Sequence, residues 1–585
     1  FAAILSACSS KNYDDQETLY PFSSLQKVSF TEVKIQDNFW LPKIKLVQET
    51  TIPHLLDIAE TEGKLDNFRI LAGTKQGKIK LHNAPDSDVY KLIEAAAYSF
   101  ACENNKTLET RVDKLIDEIA AAQQPDGYLN TQYTLNDNHP SSPNLDTLHA
   151  RRFGYGEKDR WNSTLKKWPY AYSQLYCSGH LMEAAVAYYR ATGKRKLLDT
   201  AIKNAEHIKS IFNLEKIKMY ADHPQLEIGL MKLYEITGNK EYQQLAEDFS
   251  RYVKFARPRD IVLTESSKPL AEQREAYSHC VRTGYIYTSA TGCIRANGAN
   301  DLSTAIHSIW ENLTARKMYI HGGTGNGTKF EQHGYDYDLP ILNTYSESCA
   351  QIAQCQWNHE LNLLNGDSKF ADIIEWEAYN GALAGFGMDG KTFLYSNKLN
   401  IDTLERKDYH SGVRTSYLFC CPSKIPGFIA GINRWIYAKD ENSLFVNLFI
   451  GSTISTKIGK EKLILEQQTN YPWDGGVSLV LGSTLKTEKS IKIRVPGWNS
   501  DVRPIPLAPY YFGDEQECGF EVKFNGKELN KKDYQIEKGY LVLKQKFRKS
   551  DRIDINFDMP VRRLYTDTIV KANLGRVALT RGPLI

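Results

Sequence analysis

Twice in the middle of the chain an apolar-periodic run ends at a threonine–glycine pair and a second such run follows. The two copies are "AAVAYYRATGKRKLLDTAIKNAEHI" at 184–208 and "IGLMKLYEITGNKEYQQLAEDFSRYV" at 228–253. Their turn glycines, Gly193 and Gly238, stand one helical hairpin apart. Glycine just past a helix takes the left-handed conformation that stops it, which explains the punctuation. Weaker copies flank the pair: "YSFACENNKTLETRVDKLIDEI" before it, "YIYTSATG" and "ELNLLNGDSKFADIIEWEAYN" after it. A hairpin repeated about every 45 residues cannot bury its apolar face alone and must stack on its neighbours. The result is either an open solenoid or a closed (α/α) toroid. The long irregular stretches 124–170 and 320–345 favour the ring, with binding and catalytic loops gathered at one end.

Beyond about residue 430 the period changes from helical to two. "SLFVNLFIGSTI", "KLILEQQTNYPW", "VSLVLGS", "SIKIRVPGW", "FEVKFNGKEL" and "GYLVLKQKF" are short alternating runs punctuated by Gly, Asn and Asp, the pattern of an antiparallel β-sandwich. The expected division is therefore 1–20 leader and linker, 21–430 helical domain, 431–585 β-sandwich. The final "ALTRGPLI" is strand-like, so the sandwich is expected to be incomplete at that end. An early alternating segment, "KVSFTEVKIQDNFW", is expected to add a strand to the sandwich or to pack beneath the toroid.

The 73 Lys and Arg and 70 Asp and Glu give a net charge of +3, mixed along the chain without a basic block, which argues against a nucleic-acid partner. No stretch reaches the roughly 18 apolar residues of a membrane helix. The opening "FAAILSACSSKNYDDQ" reads as the tail of a secretory signal, and "LSAC" resembles a bacterial lipobox with lipidation at Cys8. This leads us to expect an exported lipoprotein of the periplasm or outer membrane, touching the membrane only through its lipid.

Ten cysteines in 585 residues are too sparse for a disulfide framework. Two of them nonetheless adjoin, Cys420 and Cys421 in "SYLFCCPSK". Alone, the doublet reads equally well as two buried thiols in a turn before Pro422. A second cluster, "YSESCAQ", adds Glu347 and Cys349, and three thiolates with one carboxylate make a complete tetrahedral set for zinc. A closed set is usually structural; if this one is catalytic, one ligand must itself react. A metal-held thiolate suits a nucleophile. Upstream, "HGGTGNGTKFEQHGYDYDLP" places Glu331 beside Phe330 and His333. It is either a solvated loop side chain or a carboxyl kept protonated by an apolar pocket, as a general acid requires.

Glu331, "YDYDLP", "YSESCA", "FLYSNKL" and "FCCP", in that order, resemble glycoside hydrolase family 127, the β-L-arabinofuranosidases. "GKLDNFR", "QPDGYLNTQY", "LYCSGHLMEAAVAYY", "HCVR" and "VALTRGPL" extend the likeness over most of the chain. The resemblance implies an (α/α)6 catalytic toroid followed by β-sandwich domains, acting on plant cell-wall oligosaccharides. It implies that Glu347, Cys349, Cys420 and Cys421 hold Zn2+, that Cys420 attacks the anomeric carbon, and that Glu331 serves as acid and then base, with retention of configuration. His279, Glu375 and Tyr395, with His180 and His223, fall where the family contacts sugar; either of the last two reads equally well as a core side chain. Two positions depart from the family pattern: Ser173 stands where many members have His, and Leu55 where a sugar-binding Gln is common. The expected alternatives are the same chemistry on an acidic branched furanose, aceric acid of rhamnogalacturonan II, or an inert glycan-binding lipoprotein.

Overall fold

A computed structural model of the chain describes residues 20–80, 82, 84–132, 173–212, 223–251, 268–326, 331–342, 344–400, 416–499, 508–513 and 518–585. The expected lipidation site Cys8, Phe330 beside Glu331 and most of the 124–170 stretch lie outside these residues.

Fourteen helices are named in chain order: α1 (Trp40–Leu46), α2 (Ile52–Thr61), α3 (Lys64–Leu71), α4 (Pro85–Cys102), α5 (Lys106–Ala122), α6 (Ser173–Thr192) and α7 (Lys196–Ile211), then α8 (Leu226–Thr237), α9 (Lys240–Arg251), α10 (Cys280–Asn297), α11 (Asn300–Asn312), α12 (Ser348–Asn365), α13 (Ser368–Trp376) and α14 (Cys421–Ala430). Six of them close a ring. Helix α4 packs on α6, α6 on α8, α8 on α10, α10 on α12, α12 on α14, and α14 returns to α4. The others pack outside it, α5 on α7, α7 on α6, α9 across α8 and α10, α11 on α10, and α13 on α12.

Sequence decides the layer. Outer helix α9 buries Tyr242, Leu245, Ala246 and Phe249 on one stripe and leaves Lys240, Glu241 and Gln244 exposed. Inner helix α10 is buried without a break from Cys280 to Arg295, and its Thr, Gly, Ser and Ala side chains suit an environment packed on every side. The repeat glycines act as expected: Gly193 and Gly238 sit at φ 73° and 66° and donate their N–H back to Tyr189 and Tyr234.

The β-domain is built from β3 (Tyr437–Lys439), β4 (Ser443–Val446), β5 (Ser452–Ile458), β6 (Glu461–Thr469), β7 (Gly476–Leu481), β8 (Lys489–Arg494) and later strands to β16 (Ala578–Arg581). Buried and exposed positions alternate along β5 and β6, and Ile454, Ile458, Leu463 and Leu465 face the core. The early segment joins both large sheets. Gln26–Lys27 (β1) pairs with β3, with Gln26 opposite Lys439, and Val33–Ile35 (β2) pairs with β5, with Val33 opposite Ile454. The sandwich is not purely antiparallel: β4 and β8 run parallel, Leu444 opposite Ile491, because the chain crosses to the other sheet between them.

The two domains share a buried polar seam. Arg494 at the end of β8 is fully buried and pairs with Asp372 at 2.6 Å and with Glu375, both on α13. Among the described residues no helix is long and apolar enough to cross a membrane.

Candidate active site

The inner helices deliver their first residues to one place. Glu347 caps α12 with Cys349 in its first turn, Cys420 caps α14 with Cys421 as its first residue, and His279 caps α10. Helix N-termini favour anions through the helix dipole, an attraction that works against the cost of burying these groups.

One donor atom from each of Glu347, Cys349, Cys420 and Cys421 lies within 4.8 Å of all the others. Cys349 Sγ is 3.7 Å from Cys420 Sγ, while Glu347 Oε1 is 3.2 Å from Cys421 Sγ and 3.8 Å from Cys420 Sγ. A tetrahedron with metal–sulfur bonds of about 2.3 Å has sulfur–sulfur edges of about 3.8 Å and sulfur–oxygen edges of about 3.6 Å. The set therefore fits a tetrahedral ion, and its three sulfurs suit a thiophilic one.

The members differ. Cys349, Cys421 and Glu347 are buried, whereas Cys420 is partly exposed. Burial, with the Cys420 thiolate beside it, pushes the Glu347 carboxyl well up, and burial pushes the Cys349 and Cys421 thiols well above the ordinary value. Cys420 moves the other way. Hydrogen bonds from the Cys349 and Cys421 thiols, and the nearby Lys91 ammonium, hold it well below the ordinary thiol range. Burial works against the Lys91 charge, but Cys420 and Asp88 keep that ammonium protonated.

Glu331 faces this cluster across Glu347: His279, Glu331 and Glu347 form a second group within 4.8 Å. Val281 N–H donates to His279 Nδ1 at 3.2 Å, so the ring proton belongs on Nε2, which lies 3.1 Å from Glu331 Oε2. Tyr345 hydroxyl donates to Glu331 Oε1 at 3.2 Å, and the same hydroxyl can turn to accept once Glu331 is protonated. The segment is pinned to α10 through Cys280 N–H to Glu331 O and His333 N–H to Ser278 O, each 2.9 Å.

Backbone strain collects here. Ser278, Glu331, Ser346 and Cys420 have φ of 67°, 59°, 45° and 55°. Non-glycine residues in that region cost about 1–3 kcal/mol each and are characteristic of functional sites.

His223 is 5.7 Å from the His279 ring and 4.4 Å from Tyr176, and Tyr176 is 4.6 Å from His180. Burial first, then His279, lowers His223 to about 3, and burial with Lys91 and Lys424 lowers His180 well below its usual value. Both imidazoles are neutral near pH 7. Tyr395 stacks on Phe419 at 6.1 Å and directs its phenol toward Glu347.

Glu375 does not join this group. Its carboxylate is occupied by Arg494 and by Trp498 Nε1 at 3.1 Å, because its position on α13 faces the β-domain. Ser173 begins α6, and Leu55 is fully buried in α2. Sequence reasoning passed over Asp88, Lys64, Lys91, Tyr176 and Tyr345. "PDSDVYK", with Asp and Lys inside an otherwise apolar inner helix, carried a signal for two of them.

Residues 32–434 match a family model described as the β-L-arabinofuranosidase GH127 catalytic domain, and residues 443–559 match the GH127 middle domain. The non-reducing end β-L-arabinofuranosidase of Bifidobacterium longum subsp. longum is 30% identical, over 89% of this chain and 77% of that protein. A solved structure described as a GH127 β-arabinofuranosidase aligns at TM-score 0.84 and 34% identity, covering 97% of this chain and 85% of that one. A GH127 β-L-arabinofuranosidase from Geobacillus stearothermophilus T6 aligns at TM-score 0.81 and 34% identity, covering 94% and 85%.

Proposed function

Since the chain belongs to the GH127 family of β-L-arabinofuranosidases and is a glycoside hydrolase, we propose that it releases terminal β-L-arabinofuranose, or a closely related furanose, from plant cell-wall glycans by double displacement at Cys420. The Cys420 thiolate attacks the anomeric carbon, forming a C–S bond as the C–O bond breaks, and Glu331 gives its proton to the departing oxygen. Glu331 then takes a proton from water, whose oxygen attacks the same carbon, the C–S bond breaks and the thiolate returns. Two inversions leave the configuration retained.

Glu347, Cys349, Cys420 and Cys421 would hold a zinc ion, which supplies charge that keeps the sulfur deprotonated and makes it a better leaving group. His279 orients Glu331 through Nε2. The neutral His180 and His223 and the Tyr395 phenol suit the hydroxyls of a furanose. The observation that carries the reading is the asymmetry of the sulfur cluster: of the four donors Cys420 alone is partly exposed, with Glu331 across Glu347 from it.

The test is release of monosaccharide from a panel of arabinose-bearing glycans with and without a zinc chelator, the anomer of the first product being read by NMR. The β-anomer, abolished by chelation and restored by zinc, is expected. The α-anomer, or turnover indifferent to the chelator, would sink the mechanism. A second reading, an acidic branched furanose of rhamnogalacturonan II, draws on Leu55, which is buried and offers no polar atom; release from pectic fragments but not from simple arabinofuranosides would select it. Export with lipidation at Cys8 is a separate proposal from the "LSAC" motif, checked by palmitate labelling of the expressed precursor.

A further inference from the structure

Cys420 has φ 55° and ψ −94°, outside the regions a residue with a Cβ occupies without strain. Such a backbone persists only where its neighbours over-determine it, and here two residues do so. Asp88, in the first turn of α4, is 1% exposed, and Lys64, the first residue of α3, is 2% exposed. Asp88 Oδ1 accepts the Cys420 N–H at 3.2 Å and lies 2.7 Å from Ser423 Oγ, itself 2.8 Å from Cys420 O. Asp88 Oδ2 lies 3.0 Å from Lys64 Nζ, and the same ammonium donates to Leu418 O at 2.6 Å. The pair therefore grips the chain before Cys420, at it, and after it.

We propose that Asp88 and Lys64 are positioning residues for the nucleophile, a buried ion pair that holds the 418–423 turn so that Cys420 Sγ keeps its place and direction. The inference rests on the assignment of Cys420 as nucleophile. Neither residue belongs to the four-donor set. A buried ion pair adds little net stability over an apolar pair of equal volume, so stability alone gives no reason for one here. The hydrogen bonds supply the reason, since Asp88 and Lys64 each reach one strained turn, Lys64 while also pairing with Glu62 at 2.9 Å. Without the Asp88 carboxylate, Cys420 relaxes toward an ordinary backbone region and its sulfur swings off the line of attack. A displacement of about 1 Å at a reacting atom costs about 100-fold in rate.

The experiment uses the full chain, metal-loaded, as Asp88→Ala, Asp88→Asn, Lys64→Met and Ser423→Ala. Each variant is assayed for kcat and KM on an aryl β-L-arabinofuranoside, for the rate at which iodoacetate alkylates Cys420 by peptide mass spectrometry, and for the sulfur-to-metal absorption of its cobalt-substituted form. Asp88→Ala is expected to lose about 100-fold in kcat with KM within about threefold, with an altered Cys420 alkylation rate and cobalt spectrum. Asp88→Asn, which keeps an acceptor oxygen for the Cys420 N–H, is expected to recover about tenfold of that loss. Parental kcat and alkylation in both Asp88→Ala and Lys64→Met would overturn the proposal. Should Asp88→Ala fail to fold, parental kcat in Asp88→Asn and Ser423→Ala would overturn it equally. A parent whose Cys420 takes up no sugar overturns the nucleophile assignment, and this proposal with it. A parent that does, with unaffected variants, overturns the clamp alone.

Discussion

In the proposed mechanism a single sulfur carries the chemistry, and its surroundings divide the work. Cys349 and Cys421 flank Cys420, Lys91 adds positive charge, and Glu331 lies across Glu347 with His279 and Tyr345 on its two oxygens. Glu331→Gln should lower kcat on a natural arabinoside by about 10²–10⁴-fold, the usual worth of a general acid. An aryl arabinoside with an acidic phenol should lose far less in the first step, and azide should restore turnover by replacing the deprotonated water. Equal losses on both substrates would contradict that role. The "YSESC" and "FCCP" clusters were legible in the sequence because a metal-binding set needs few residue types at close spacing. What Lys64 and Asp88 grip was not, because they meet residues 418–423 from more than 300 positions away. Glu375, placed among the sugar contacts by the resemblance, faces Arg494, because the local sequence does not record which neighbour an acidic helix residue meets.

The helical hairpin is the unit that builds the ring, and small residues set how closely its inner helices approach. A Cβ on Gly179 of α6 would lie 2.3 Å from the backbone of Gln225, just before α8. Backbone there cannot yield unless α8 moves. Gly179→Ala should therefore cost about 1–3 kcal/mol, read from the urea midpoint, and should reduce activity further through displacement of His223 beside the same turn. An unchanged midpoint would contradict this packing. The Thr–Gly punctuation made the hairpins readable, and period-two alternation did the same for the strands. The parallel β4–β8 pair escaped both, because pairing direction depends on how the chain crosses between sheets, which local pattern does not record.

Across the whole molecule the toroid and the β-domain are locked by buried charge. Arg494→Met would leave Asp372 and Glu375 buried without their cation, a loss of about 3–5 kcal/mol, measurable as a lowered urea midpoint. A second whole-chain effect is pH dependence. Burial pushes the Glu227 carboxyl of α8 up to about 7 from an ordinary 4.5. Between those values the folded state keeps a proton that the unfolded state releases, so Glu227 lowers stability as pH rises through that window and adds no further slope above it. Glu227→Gln should flatten the curve from about pH 4.5 to 7, a difference on the order of 2–3 kcal/mol at pH 7. A pH profile identical to the parent's would contradict the burial argument.

The central claim is that Cys420 bonds transiently to the sugar carbon. It is tested most directly by incubating the zinc-loaded Glu331→Gln variant with an aryl β-L-arabinofuranoside, quenching in acid and sequencing the digested peptides by mass spectrometry. One anhydropentose on the peptide containing Cys420 and Cys421, localised by fragmentation to Cys420, is the predicted result. A sugar on a carboxylate, or phenol released with no adduct on sulfur at any time, would contradict it.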